Sequence, residues 1–164
     1  MTIAPCDHTS VGIIVFRVGE LLIIDRKRPP FGLAAPAGHV DKHGNIDDPE
    51  EAQFERAAIE ELEEETGLVA TSLTLIGEGR KDNPCRRSGG SWHYWRIYRA
   101  ETTGDLRPST EETRGCFWCS YEQMRLLLDG KTIQMSYGEA SLEPVWREWF
   151  LRLNMLDKFI LSQY

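Results

Sequence analysis

The sequence predicts an α+β fold on three observations. Five β-branched, apolar runs read as strands, at about 10–17, 20–27, 71–80, 91–100 and 115–120. One strongly marked amphipathic helix separates the second strand from the third, at about 49–66. A second amphipathic stretch closes the chain from near Pro144. With 164 residues, 41% hydrophobic and 27% charged, the chain is long enough for one globular core and too apolar for disorder. No repeat, linker or low-complexity tract divides it, so one domain over 1–164 is expected.

The first two strands, "SVGIIVFR" and "ELLIIDRK", are separated only by Val18 and Gly19, which reads as a hairpin. "RPPFGLAAPAGH" is a loop holding at most a short strand, because its three prolines and two glycines interrupt pairing. The polar "DKHGNIDD" follows. Asp48 is placed as the helix N-cap, with Pro49 at the first helical position and Glu51 completing a capping box. Gly67 is placed to end the helix. Phe54, Ala58 and Leu62, joined by Ile59, form its core-facing stripe.

On that helix five glutamates occupy six positions: Glu60, Glu61, Glu63, Glu64 and Glu65. At about 100° per residue, Glu61, Glu64 and Glu65 share the flank of the apolar stripe, while Glu60 and Glu63 face outward. Arg56, one turn before Glu60, is positioned to pair with it. Carboxylates at this spacing can converge on a hard divalent cation. A solvated acidic helix face has the same spacing, so the helix alone leaves both readings open.

Beyond the helix, "KDNPCRRSGG" is a turn-rich loop, read either as a solvated turn or as a phosphate-contacting segment through Arg86 and Arg87. In "SWHYWRIYRA", Trp92, Tyr94 and Arg96 share one strand face and His93, Trp95 and Ile97 the other. "YEQMRLLL" is a short helix. Val145, Trp149, Leu153, Leu156 and Ile160 make the last segment one amphipathic helix; Trp146, Trp149 and Phe150 there cover the core or form a subunit interface.

The net charge of −7 disfavours extended nucleic-acid binding. No apolar run reaches membrane-span length, and the N-terminal segment lacks a signal-peptide pattern, so a cytoplasmic location is expected. The cysteines are Cys6, Cys85, Cys116 and Cys119. The CxxC of "CFWC" lies in a predicted strand, where the two thiols point to opposite faces, and reads as buried small hydrophobes rather than a zinc site. His93 reads as a structural or substrate-contacting residue, since no second histidine stands at ligand spacing from it.

"PAGHVD" followed by "AAIEELEEETGL" closely resembles the signature of the Nudix hydrolases, Gly-x5-Glu-x7-Arg-Glu-U-x-Glu-Glu-x-Gly-U with U apolar. Glu61, Leu62, Glu64, Glu65, Gly67 and Leu68 fall in register with its last part, and Gly38 resembles its opening glycine, with Asp41 near a commonly acidic place. The resemblance extends over about 10–128, through "RKRPPFGLAAPAGHVD" and "IYRAETTGDLRPSTEETRGCFWCSYEQM". It implies a mixed β-sheet sandwiched between α-helices. It implies hydrolysis of a nucleoside diphosphate linked to another moiety with Mg²⁺ or Mn²⁺. The metal ligands implied are Glu61, Glu64, Glu65 and the carbonyl at Gly38. Glu112, six residues before Trp118 and next to Glu111, is the implied general base; water activation at the metal by a helix glutamate is the competing arrangement. Arg26, Arg28, Phe31 and His93 are candidate substrate contacts, the cations for phosphate and Phe31 for base stacking. The pre-box segment looks most like members acting on ADP-ribose or other nucleotide sugars, with nucleoside triphosphates, dinucleoside polyphosphates and capped RNA ends as other family substrates. Homodimers are common in the family.

Two departures qualify the resemblance. Glu60 stands in place of the box arginine, leaving the glutamates in need of another positioning partner, for which Arg56 is a candidate. Gly38 to Glu60 spans eight more residues than the signature. One extra residue is placed before Gly44, which puts Asn45 where the first signature glutamate would be; the other seven read as two added helical turns, or else as a longer loop. A weakly active or inactive nucleotide-binding module is therefore the alternative function.

Overall fold

The computed structural model describes residues 4–43, 45 and 47–163. In chain order the elements are β1 (Thr9–Ile14), β2 (Phe16–Arg17), β3 (Glu20–Arg26), β4 (Gly32–Ala34), β5 (Ala37–Gly38), α1 (Glu50–Thr66), β6 (Val69–Lys81), β7 (His93–Thr103), β8 (Thr113–Ser120), α2 (Tyr121–Leu128), β9 (Ile133–Met135), β10 (Gly138–Ala140), α3 (Pro144–Arg152) and α4 (Met155–Leu161). The main sheet has the order β5-β1-β7-β6. It is mixed, because β1 runs parallel to β7 and the other pairs are antiparallel. A second sheet forms on β3, which pairs with β2 and β4 and, separately, with β8.

Strand alternation divides the buried residues between two layers. Val11, Ile13, Val15, Leu22 and Tyr98 pack with Phe54, Ala58 and Leu62 of α1. Ile14, Leu21, Ile23, Trp95 and Ile97 pack with Trp146, Trp149 and Phe150 of α3 and with residues of α2 and α4. Successive residues on a strand point to opposite faces, so continuous apolar strands require cover on both sides. The sheets thus lie between α1 and the other three helices, the α+β sandwich expected from the sequence.

The helix carrying the glutamates begins at Glu50 and ends at Gly67, whose left-handed φ of 78° lets its N–H reach the Glu63 carbonyl. The insertion is accommodated as helix: residues 50–56 extend α1 ahead of Ala57. Gly44 lies outside the described residues. The expected Asp48 cap is corrected. Pro49 takes the N-cap place with no side-chain cap hydrogen bond, and the Asp48 carboxylate instead pairs with Arg56 at 2.7 Å. Arg56 is thereby drawn toward the helix start and away from Glu60. Ile59 is also corrected, being 37% exposed; the buried stripe is completed by Ala57, Glu61 and Glu65.

The C-terminal segment is two helices rather than one. Asn154 adopts a left-handed φ of 50°, which asparagine tolerates better than most residues, and breaks the segment between α3 and α4. Ile160 is half exposed as a result, while Trp146, Trp149 and Phe150 are fully buried and cover the core. The β9–β10 hairpin has no counterpart in the sequence reading. Cys119 is buried and Cys116 half-buried, and burial pushes both thiols up to about 12, in keeping with their reading as apolar packing groups. Among the described residues no helix is long and apolar enough to cross a membrane.

The approach of α3 to the sheet depends on the missing side chain at Gly12. A Cβ there would lie 2.3 Å from Trp146 Cη2 and 2.8 Å from Ile97 Cδ1. Gly12→Ala is expected to cost about 1–3 kcal/mol by overpacking, measured by urea unfolding. A variant as stable as the wild type would contradict this packing.

Candidate active site

Glu61 and Glu65 lie one turn apart on the buried face of α1, 1% and 3% exposed, rather than on its flank. Glu64 is exposed on the adjacent edge. Glu61 owes its position to Gly38 at the end of β5: a Cβ on Gly38 would stand 1.9 Å from Glu61 Oε1. Any other residue there would displace the carboxylate.

The arginine missing from position 60 has a different replacement from the one expected. His43, from the loop after β5, sits between two carboxylates. Its Nδ1 is 2.5 Å from Glu60 Oε2 and its Nε2 is 2.8 Å from Glu61 Oε1. A neutral imidazole has one N–H, so donating at both nitrogens requires the imidazolium form. The Glu61 hydrogen bond is the main influence raising the His43 pKa, against the opposing effect of burial. Lys42 Nζ adds a second cation 3.4 Å from Glu61 Oε1. Glu60 is therefore no idle surface charge; it anchors the histidine that holds Glu61.

Glu112 comes from the loop between β7 and β8. Backbone hydrogen bonds tie that loop to the end of α1, from Arg107 N–H to Thr66 O at 2.7 Å and from Ser109 N–H to Glu65 O at 3.0 Å. Carboxylate oxygens of Glu61, Glu65 and Glu112 consequently lie within 4.8 Å of one another. A second grouping at the same limit joins His43, Glu61 and Glu64.

Glu61, Glu65 and Glu112 line a cleft of about 250 Å³. Burial first, and the Glu61 charge second, push the Glu65 carboxyl well above the usual range, with Arg26 opposing. Glu65 Oε2 is buried without a hydrogen-bond partner among the described residues. Three hard oxygen donors, one of them orphaned and two crowded by like charge, fit a divalent cation such as Mg²⁺ or Mn²⁺. Of the expected metal ligands, Gly38, Glu61 and Glu65 line the cleft, while Glu64 borders His43 on the outer side.

The expected substrate contacts separate. Arg26, Arg28 and His93 line the cleft. Arg26 donates to the Pro30 carbonyl at 2.6 Å and lies 3.7 Å from Glu143. Phe31 is set apart from the cleft: it is 57% exposed, with Arg114 beside its ring. Arg86 and Arg87 line the cleft with Lys42, so the "PCRRSGG" loop, although largely exposed, forms one wall of the site. Glu143, at the start of α3, was not anticipated. It also lines the cleft, and burial raises its carboxyl to about 7 despite Arg26. Its only sequence signal was a glutamate before a helix-starting proline.

A family model described as the NUDIX domain matches residues 7–137. The chain belongs to the Nudix hydrolase family. Membership agrees with the pyrophosphohydrolase class expected from the sequence. The fold is similar to that of a MutT NUDIX hydrolase from Burkholderia pseudomallei, with 22% identity, 90% of this chain and 95% of that chain covered, and a TM-score of 0.62. It is similar to the NUDIX domain of Shewanella oneidensis NrtR complexed with ADP ribose, with 14% identity, coverage of 98% and 90%, and a TM-score of 0.65. A MutT protein from Methanosarcina mazei Go1 aligns at 18% identity over 96% of this chain and 99% of that one, with a TM-score of 0.63. No curated protein matches the sequence.

If His43 supplies what the box arginine supplies elsewhere, His43→Ala is expected to weaken Mn²⁺ binding about 10–100-fold, the usual cost of losing a positioning partner. Adding Glu60→Arg to that variant is expected to recover much of the loss. Unchanged Mn²⁺ affinity in His43→Ala, measured by calorimetric titration, would contradict the assignment.

Proposed function

We propose that the protein hydrolyses the pyrophosphate linkage of a nucleoside diphosphate joined to another moiety, a nucleotide sugar such as ADP-ribose or a nucleoside triphosphate, with Mg²⁺ or Mn²⁺. The observation that carries this reading is the convergence of Glu61, Glu65 and Glu112 in a cleft that also holds Arg26, Arg28, Lys42, Arg86 and Arg87. Carboxylates alone would repel a polyphosphate; carboxylates facing a divalent ion, ringed by cations, would hold one.

Glu61 and Glu65 are assigned to hold the metal, with the Gly38 carbonyl and Glu64 as further donors. When bound, the ion polarises a phosphoryl oxygen and lowers the pKa of water. Glu112 is the exposed carboxylate of the group, so it is free to meet a solvent molecule and take its proton as that water attacks phosphorus. The arginines orient the phosphates and offset charge gathering on the leaving group. His93 and Trp95, which also line the cleft, bound the space for the second moiety. Nucleotide sugars are favoured by the pre-box segment and by the likeness to an ADP-ribose-bound domain. We place the protein in the cytoplasm, as one domain over 1–164 acting on a small nucleotide, with a homodimer as its proposed assembly.

Asn45 in place of the first signature glutamate supports a second reading, a domain that binds nucleotides with little or no turnover. Hydrolysis assayed with Mg²⁺ and Mn²⁺ over ADP-ribose, other nucleotide sugars, nucleoside triphosphates and dinucleoside polyphosphates separates the two. Turnover of one class, reduced at least about 100-fold in Glu65→Gln, is the expected result. Nucleotide binding with no turnover of any compound would overturn the hydrolytic reading in favour of the second.

A further inference from the structure

A second cluster lies beside the glutamates, built from four segments far apart in sequence. Cys6 precedes β1, His39 follows Gly38, Cys85 lies in the loop between β6 and β7, and His93 opens β7. One ligand atom from each lies within 4.8 Å of every other. Cys6 Sγ is 3.3 Å from His93 Nε2, 3.7 Å from His39 Nε2 and 3.8 Å from Cys85 Sγ. We propose that Cys6, His39, Cys85 and His93 form a structural Zn²⁺ site.

The distances fit this ion. Zinc–sulfur bonds of about 2.3 Å and zinc–nitrogen bonds of about 2.0–2.1 Å, arranged tetrahedrally, set ligand–ligand edges of roughly 3.3–3.8 Å. Two thiolates with two imidazoles at tetrahedral spacing are a donor set that selects zinc over Mg²⁺ or Mn²⁺, which prefer oxygen. All four ligands come from the protein, which is the closed arrangement of a structural site rather than a catalytic one.

The surroundings are built for the sulfurs. The His8 backbone N–H donates to Cys6 Sγ at 3.3 Å, the kind of outer contact that stabilises a thiolate. A Cβ on Gly90 would stand 2.1 Å from Cys85 Sγ and 3.5 Å from Cys6 Cβ, so glycine leaves the space the sulfur occupies. Cys85 N–H donates to the Gly90 carbonyl and Cys6 N–H to the Ser88 carbonyl, closing a tight turn around the pair. His93 is 1% exposed, and its Nδ1 is buried without a partner among the described residues, beside the backbone of Asn83.

The site also answers a structural need. In the segment from 82 to 92 only Asn83 is buried, so the loop has little apolar anchorage of its own. It nonetheless forms a wall of the cleft through Arg86 and Arg87. A zinc ion would fasten this loop to β1 and β7 and, through His39, to the strand that carries Gly38. Its role is to hold two walls of the cleft in place while the glutamates bind a different metal.

The test is metal analysis of the full chain, purified under reducing conditions from zinc-supplemented growth, with apo-protein titrated by Co²⁺. One zinc per chain is expected, retained in excess Mg²⁺ and in Glu65→Gln. Co²⁺ should give the intense visible absorption and thiolate charge-transfer bands of a tetrahedral S₂N₂ site. Cys6→Ser and Cys85→Ser should each lose both the zinc and the charge-transfer intensity, whereas Cys116→Ser should keep them. Circular dichroism of each variant reports whether it is folded, and Co²⁺ titration of the wild-type apo-protein decides the matter even where a variant is not. Wild-type protein that takes up neither Zn²⁺ nor Co²⁺ in this form, or that carries a Cys6–Cys85 disulfide under reducing conditions, would overturn the proposal. So would zinc lost in Glu65→Gln and kept in both cysteine variants.

Discussion

Two carboxylates one helical turn apart, Glu61 and Glu65, are buried on the face of α1 that also carries its core residues. Like charges at this spacing repel, and burial compounds the cost. Most of the surrounding architecture acts to hold this arrangement. Gly38 clears the space that Glu61 fills. His43 and Lys42 bring positive charge from the adjoining loop. Arg26 opposes the effect of burial on Glu65. The loop ending at Glu112 is tied to the last turn of the same helix. A site so arranged has unmet demand for positive charge, which a divalent cation would meet.

The substitution at position 60 shows how such a site can change sequence without losing its logic. An arginine on the helix would pair with neighbouring glutamates from within the same element. Here a glutamate occupies that place, and the cation is moved to the loop as the His43 imidazolium, clamped between Glu60 and Glu61. The charge near Glu61 is preserved, but it now titrates. As pH rises through the raised His43 pKa, one of the two hydrogen bonds is lost, so the hold on Glu61 weakens on the alkaline side.

The regular elements were readable from local pattern, because the continuous apolar runs of β1 and β3 and the 3.6-residue stripe of α1 report burial directly. The clustering of the glutamates was readable from helical spacing, whereas Gly38 and the metal role of the glutamates were legible only through the resemblance to the Nudix signature. The errors came where tertiary partners decide. Arg56 could be placed by helical periodicity beside Glu60, but Asp48 outcompetes it. His43 carries no periodic signal, since a loop histidine acquires its partners only when the loop folds back. The break at Asn154 rests on one backbone conformation that a continuous apolar stripe conceals. The Cys6, His39, Cys85 and His93 cluster is assembled from four segments, and no ligand spacing along the chain announces it.

The central claim is that α1 holds a costly pair of carboxylates for the sake of a divalent metal, and thermal unfolding with and without Mg²⁺ tests it most directly. Wild-type protein should melt at a higher temperature as Mg²⁺ is added, because an ion held by these carboxylates would bind only the folded state. Glu65→Gln should abolish that rise and, with the buried charge removed, should melt higher than wild type in the absence of metal. An equal Mg²⁺-dependent rise in both proteins, with the variant no more stable when metal-free, would contradict the account.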